Sequence, residues 1–237
     1  MEKNSSRLRR DSVDNMKIPE FQGNLRSFML RVPEVIRECT GIKIFGKKIR
    51  SVLFSTDVSI IRNTNADAVI AVYPFTPQPI ITQAVMTASD IPVFAGVGGG
   101  LTQGKRVLNL AMHAEHQGAI GVVLNAPTSN ITLHKVAEQI DIPIVITVVS
   151  ENEDTAARLK AGAAIFNVSG ASKTADIVRK LREKHPDAAI MATGGPTEES
   201  IKKTIEAGAN AITWTPPSNG EVFKDIMDAY RQGLPHP

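Results

Sequence analysis

The stretch AIMATGGPTEESIKKTIEAGANAITW, residues 189–214, decides how the chain is read. It opens on an apolar run, Ala189 to Ala192, and breaks at the turn Gly194-Gly195-Pro196. Thr197 then supplies a capping hydroxyl, and Glu198 and Glu199 put carboxylates in a first helical turn. Glu206-Ala207-Gly208 closes the helix with a C-terminal glycine. A second apolar run, Ala211 to Trp214, follows at once. The unit is a strand, a helix and a strand, with small residues at the joint because the two backbones approach closely there.

The same unit recurs upstream. Strand-like runs cover Ser51 to Ser55, Ala68 to Tyr73, Pro92 to Val97, Ile120 to Asn125, Pro143 to Val149 and Ala164 to Val168, ahead of the two already quoted. Their starts lie 17 to 28 residues apart, which leaves room for one helix per unit and little else. The runs are nearly continuous in Val, Ile, Ala and Leu, as parallel strands buried on both faces should be. Ala66-Asp67-Ala68, Gly118-Ala119-Ile120, Gly162-Ala163-Ala164 and Gly208-Ala209-Asn210-Ala211 read as one repeated helix-to-strand joint. Eight such units predict an α/β fold, a single (β/α)8 TIM barrel over residues 51–237, with an open doubly wound sheet as the alternative.

Ahead of the barrel, Leu25, Phe28, Met29, Val32, Val35 and Ile36 share one helical face. That spacing predicts an amphipathic helix, kinked or begun again at Pro33. Ile42 to Ile49 reads as a hairpin turning on Gly46 and Lys47. Helix and hairpin, residues 21–50, are expected to cover the N-terminal end of the barrel. Residues 1–20 carry too few apolar groups to fold alone and are expected to be flexible.

Composition narrows the class. The 237 residues are 42% hydrophobic and 22% charged, the profile of a soluble globular protein. No apolar run approaches the ~20 residues that cross a bilayer, and no apolar stretch follows the basic start as in a signal peptide. Cys39 is the single cysteine, so an internal disulfide and a multi-cysteine zinc site are excluded. The expected location is cytoplasmic, with no membrane contact. The net charge of +3 is uneven: residues 1–50 hold 12 Lys/Arg against 6 Asp/Glu, and the remainder holds 15 against 18. Basicity that belongs to a leader, with no recognition motif, argues against a nucleic-acid partner.

Active sites of parallel barrels lie at the C-terminal ends of the strands. His113, His116, His134, His185 and His236 all fall within or after helices, which disfavours histidine catalysis and a tightly bound zinc; no cofactor is expected. The strongest positive signal is the Thr193-Gly194-Gly195 turn ahead of a helix N-terminus, where amides and the dipole favour an anion. Ser169 and Gly170 after the sixth run, and Ser218 and Asn219 after the eighth, could add donors or simply cap helices. Residues 99–106 meet the GxxxxGK part of a phosphate loop, but Arg106 stands where Ser or Thr would hold magnesium. Gly98, Gly99 and their neighbours are read instead as a mobile loop bearing Lys105. Asp57 and Glu151 follow the first and fifth runs; each could act as acid or base if burial raised its pKa, or could equally cap a helix. Tyr73 and Asn125 are candidate hydrogen-bonding groups, and Trp214 a candidate stacking or mouth-filling group. Cys39 precedes the barrel, which argues against a catalytic thiolate.

The run ATGGPTEESIKKTIEAGANAIT, residues 192–213, resembles the strand-seven to strand-eight stretch of the phosphate-binding TIM-barrel superfamily. That group includes the ribulose-phosphate-binding barrels, the 2-keto-3-deoxy-6-phosphogluconate aldolases and the N-acetylmannosamine-6-phosphate epimerases. Residues 25–232 as a whole resemble a group of short bacterial barrels that carry the name hydrolase. The aldolases' Schiff-base lysine has no counterpart, since none of the eight runs contains a lysine. The resemblance implies a phosphorylated or otherwise anionic small-molecule substrate. The expected activity is metal-independent acid-base chemistry of isomerase, epimerase or lyase type, with Asp57 and Lys105 as the leading pair. A hydrolase using Asp57 or Glu151, and a non-catalytic sensor on the same barrel, are the alternatives. The N-terminal amphipathic segment leaves a homo-oligomer open.

Overall fold

Parallel pairing of the apolar runs accounts for the architecture of the computed structural model, which describes residues 19–21, 23 and 28–236. The barrel strands are β3 (Ser51–Phe54), β4 (Ala68–Ala71), β5 (Val93–Gly98), β6 (Gly121–Leu124), β7 (Ile144–Val148), β8 (Ile165–Val168), β9 (Ala189–Thr193) and β10 (Ala211–Trp214). Each pairs in parallel with the next, and β10 returns to β3, so the sheet closes and no edge remains. The helices that follow them are α1 (Val58–Arg62), α2 (Pro79–Ala88), α3 (Lys105–His116), α4 (Asn130–Ala137), α5 (Thr155–Lys160), α6 (Thr174–Lys184), α7 (Glu198–Glu206) and α8 (Asn219–Arg231). The fold is the (β/α)8 barrel expected from the repeat, and each strand lies within two residues of its predicted run.

Three of the repeated joints are built alike. Gly118, Gly162 and Gly208 take φ of 91°, 107° and 110°, and the alanine after each donates its amide five residues back, to Ala114, Arg158 and Thr204. This is a Schellman closure, which needs a left-handed residue that glycine adopts without steric cost. It turns the chain straight into the next strand.

The strand registers sort the inward residues into layers drawn from alternate strands. The lowest holds Ala68, Gly121, Ile165 and Ala211, and the middle one Val52, Phe94, Val145 and Met191. The third holds Ile70, Val123, Asn167 and Thr213, with Phe54, Gly96, Thr147 and Thr193 above it at the mouth. The two lower layers are apolar throughout. Outward residues such as Leu53, Phe166 and Ile212 form a second core against the helices.

Two N-terminal expectations change. The strands β1 (Ile42–Ile44) and β2 (Lys47–Ile49) form the predicted hairpin, and Ile42, Ile44 and Ile49 pack with barrel-interior residues such as Phe94 and Ile165, closing the bottom. Its turn, however, is Phe45-Gly46, with Ile44 opposite Lys47 and φ of 45° and 81°. Two residues with positive φ make the turn whose twist matches a two-residue hairpin. The amphipathic helix is not formed over the described part of its span. Residues 28–33 are extended: the Leu30 amide donates to the Asn63 carbonyl, and the Val32 amide to Asn65 Oδ1. Only a 3₁₀ turn, Glu34–Glu38, follows. Pro33 pushes Val32 out of the helical region, and the strand-like partners offered by Asn63 and Asn65 satisfy the backbone instead. Leu25 and nearly all of the expected flexible segment 1–20 lie outside the described residues.

Candidate functional site

Among the described residues, two sizeable cavities open at the C-terminal end of the strands. The larger, about 740 Å³, lies between the loops after β8, β9 and β10. Thr193, Gly194 and Gly195 line it, as do Ser172, Thr174, Ser200, Lys203, Thr204, Thr213 and Thr215. The smaller, about 320 Å³, is lined by Val72, Tyr73, Phe75, Gly96, Gly98, Leu101, Val123 and Asn125. By residue type the half over the last strands is polar, rich in hydroxyls with Lys203, while the half over the second to fourth mixes Tyr73, Thr76, Thr102 and Asn125 with apolar side chains.

The polar half is built by the quoted strand-turn-helix unit. Gly195 turns at φ 81°, and a Cβ there would sit 2.6 Å from Ser200 Oγ. The Thr197 hydroxyl accepts from the Ser200 amide while Ser200 Oγ accepts from the Thr197 amide, so the first turn of α7 is fixed by a reciprocal cap. Gly194 donates to the Thr213 carbonyl at 3.3 Å and packs against Ile201 and Ile212, which leaves no room for a side chain. Lys203, in the last turn of α7, and Thr204 line the same cavity and bring a cation to it, while Glu198 and Glu199 occupy the first turn. Ala171, also on the cavity wall, takes φ 52°, a conformation that costs a residue with a Cβ.

The acidic candidates are placed elsewhere. Asp57 caps α1: its Oδ1 accepts from the Ser59 and Ile60 amides, and Asn219 Nδ2 donates to its Oδ2 at 2.6 Å. Burial pushes this carboxyl up, but the hydrogen bonds from the Ser59 hydroxyl, the two amides and Asn219 outweigh it and hold Asp57 below the usual carboxylate range. Of the two readings open for Asp57, the structure forms the helix cap, and the carboxyl is not raised toward neutrality. Glu151 bonds Lys180 on α6, which keeps it ionised and draws it away from the mouth. Lys105 is exposed at the start of α3 and lines neither cavity, so Asp57 and Lys105 are not brought together as a pair.

The other predicted residues divide in the same way. Gly98 and Gly99 have φ of 131° and 105°, and the Gly99 amide donates to Thr102 while Gly98 accepts from the Asn125 amide. A Cβ on Gly99 would meet Thr128 Oγ1 at 2.1 Å, so these glycines serve a close approach to the next loop. Tyr73 and Asn125 do line the smaller cavity; the Tyr73 hydroxyl accepts from the Gln78 amide, which leaves its own proton to donate. Ser169 follows β8, and the Gly170 amide donates to the Thr174 hydroxyl. Ser218 caps α8 in a box with Glu221, and Asn219 clamps Asp57; neither lines the anion cavity. Trp214 points outward into the helix-facing core, because period-two alternation turns Thr213 inward. His113, His116 and His134 sit on helices and His185 ends one, bonded to Thr155 Oγ1 at 2.9 Å. Burial pushes the Cys39 thiol up to about 11, far from a reactive thiolate.

Ser200, Lys203 and Thr213 were not singled out by the sequence reading, and Asn167 was counted among the strand-end residues without being selected. Polar residues inside apolar runs, in step with inward Ile165 and Ala211, were the available signal for Asn167 and Thr213.

No protein-family model and no curated protein matches the chain. Solved structures do resemble it. A phosphonopyruvate hydrolase in complex with oxalate and Mg²⁺ is 11% identical at a TM-score of 0.60, over 81% of this chain and 85% of that one. A 2,3-dimethylmalate lyase, a PEP mutase/isocitrate lyase superfamily member, is 12% identical at 0.58, over 84% and 80%. Thiamine phosphate pyrophosphorylase from Pyrococcus furiosus is 17% identical at 0.53, over 70% and 84%. At these identities the likeness establishes the TIM barrel, and it does not single out the ribulose-phosphate-binding branch. Magnesium asks for several oxygen ligands, chiefly carboxylates. Of the strand-end carboxylates here, Asp57 is committed to its cap and Glu151 to Lys180, and among the described residues no three His, Cys, Asp or Glu side chains come together. The residues at this mouth do not fit such an ion.

Proposed function

We propose that the protein is a barrel enzyme acting on a small phosphorylated or carboxylated metabolite, with acid-base chemistry of isomerase, epimerase or lyase type. The observation that carries this reading is the cavity joining the Gly195 turn, the capped start of α7 and Lys203, a donor-rich anion seat at one side of the barrel mouth. Solved barrels of similar shape carry names that point the same way, with phosphonopyruvate and dimethylmalate small and anionic and thiamine phosphate bearing a phosphate group. Tyr73 and Lys203 are the ionisable side chains that line the two cavities. Lys203 neutralises the anionic group, and the Tyr73 hydroxyl, already accepting from Gln78, is the group placed to pass a proton.

Calorimetric titration with inorganic phosphate tests the seat. Gly195→Val, which forces a Cβ into Ser200, and Lys203→Met, which leaves the backbone alone, should each weaken binding about tenfold, about 1.4 kcal/mol. Unchanged affinity in both would remove the anion seat. A sensor that binds without turnover is the second reading, favoured because no carboxylate or imidazole lines either cavity. Following a panel of sugar phosphates and hydroxy acids by NMR separates the two: an enzyme converts one of them, a sensor only binds it.

A further inference from the structure

The third layer of the barrel interior is half polar. Ile70 and Val123 face Asn167 and Thr213 across it, in a barrel whose lower layers are wholly apolar. Asn167 is 8% exposed and Thr213 5%, and neither Asn167 Oδ1 nor Thr213 Oγ1 has a hydrogen-bond partner. A buried oxygen left without a partner is costly, and native interiors rarely keep two in one layer. Both belong to alternate strands, β8 and β10, so they share one level of the barrel. Thr213 also lines the cavity that contains Gly195, Ser200 and Lys203. Thr213 therefore links this layer to the anion seat, and Asn167 shares the layer two strands away, outside the cavity lining.

We infer that the ligand of this site carries a hydroxyl beside its anionic group, and that Asn167 and Thr213 are the residues that read it. The inference rests on the anion seat proposed above and names the substrate class: hydroxylated phosphates or hydroxy acids rather than simple phosphate esters or oxo acids. A hydroxyl donates to Asn167 Oδ1 and accepts from the Thr213 hydroxyl, meeting both needs with one group. A carbonyl, which only accepts, leaves Asn167 Oδ1 unpaired.

The test compares inorganic phosphate, propyl phosphate and glycerol 1-phosphate by calorimetric titration. The natural protein should bind glycerol 1-phosphate about tenfold more tightly than propyl phosphate, the factor that one good hydrogen bond to a buried partner supplies. In Asn167→Leu and Thr213→Val that preference, read as the ratio of the affinities for the two esters, should fall toward one. Both variants should melt no lower than the natural protein, because each removes an unpaired polar atom; a merely structural pair would lower the melting temperature and leave ligand preference intact. Equal binding of the two esters by the natural protein, or a preference that survives both substitutions, overturns the inference and leaves the anion seat standing. Failure of inorganic phosphate to bind at all would overturn the seat itself, and the inference with it.

Discussion

Asp57 illustrates how a residue chosen for chemistry can be given a different task by its neighbours. A carboxylate at a strand end has the same sequence signature whether it caps a helix or takes a proton; only its hydrogen bonds separate the two. Here four groups stabilise the charged form, and Asn219 ties the loop after β3 to the start of α8 through it. Asp57 therefore contributes stability that is complete above its ordinary value of 3.8 and is lost as pH falls through the lower value of the folded state. Asp57→Ala should cost about 1 kcal/mol at pH 7, the usual loss for an N-cap. In urea titrations the gap to the natural protein should narrow below pH 3.8; a gap independent of pH would mean that the charge is not what Asn219 and the amides hold. The same reasoning separates Trp214 from Thr213. Adjacent in sequence, they face opposite sides of the sheet, and the smaller one reaches the site.

At the scale of elements, the N-terminal cover shows competition between local pattern and available partners. The hairpin was legible because alternating isoleucines and a glycine leave few other arrangements, although its turn is shifted by one residue. Phe45 sits in that turn at φ 45° and is 67% exposed, so its side chain contributes little burial to offset the conformation. Phe45→Asn, the residue preferred before glycine in this turn, should raise stability by about 0.5–1 kcal/mol, read as a higher melting temperature. The helix expected over Leu25 to Ile36 was not a sound inference in its described part. Its apolar spacing was real, but Pro33 and the asparagines at 63 and 65 favour an extended chain, and periodicity carries no information about either. The helices of the barrel are unequal as well. Ile177, Val178 and Leu181 bury α6, whereas α8 has no fully buried residue. Amide exchange followed by mass spectrometry should show α8 opening well before α6, and comparable protection in both would contradict that order.

For the whole molecule, closure of the sheet makes the strands mutually dependent, so amides of β3 to β10 should exchange together and last, through an opening close to global unfolding. Separate early exchange of one half of the barrel would argue against that unity. The repeat itself was readable because a buried parallel strand must be apolar throughout and a helix must be capped at both ends. Composition and spacing alone therefore determined eight strands, their order and the end of the barrel where chemistry belongs. The Thr193-Gly194-Gly195 turn was legible for the same local reason, since backbone amides at a helix start need no distant partner. Tertiary structure alone decided which side chains meet. It paired Glu151 with Lys180, left Lys105 outside both cavities, placed Lys203 and Thr213 on one cavity, and set Asn167 in the barrel layer that Thr213 shares. Parallel pairing of neighbouring strands and the stagger of their registers set those distances, and no spacing along the chain encodes the layer in which two alternate strands meet.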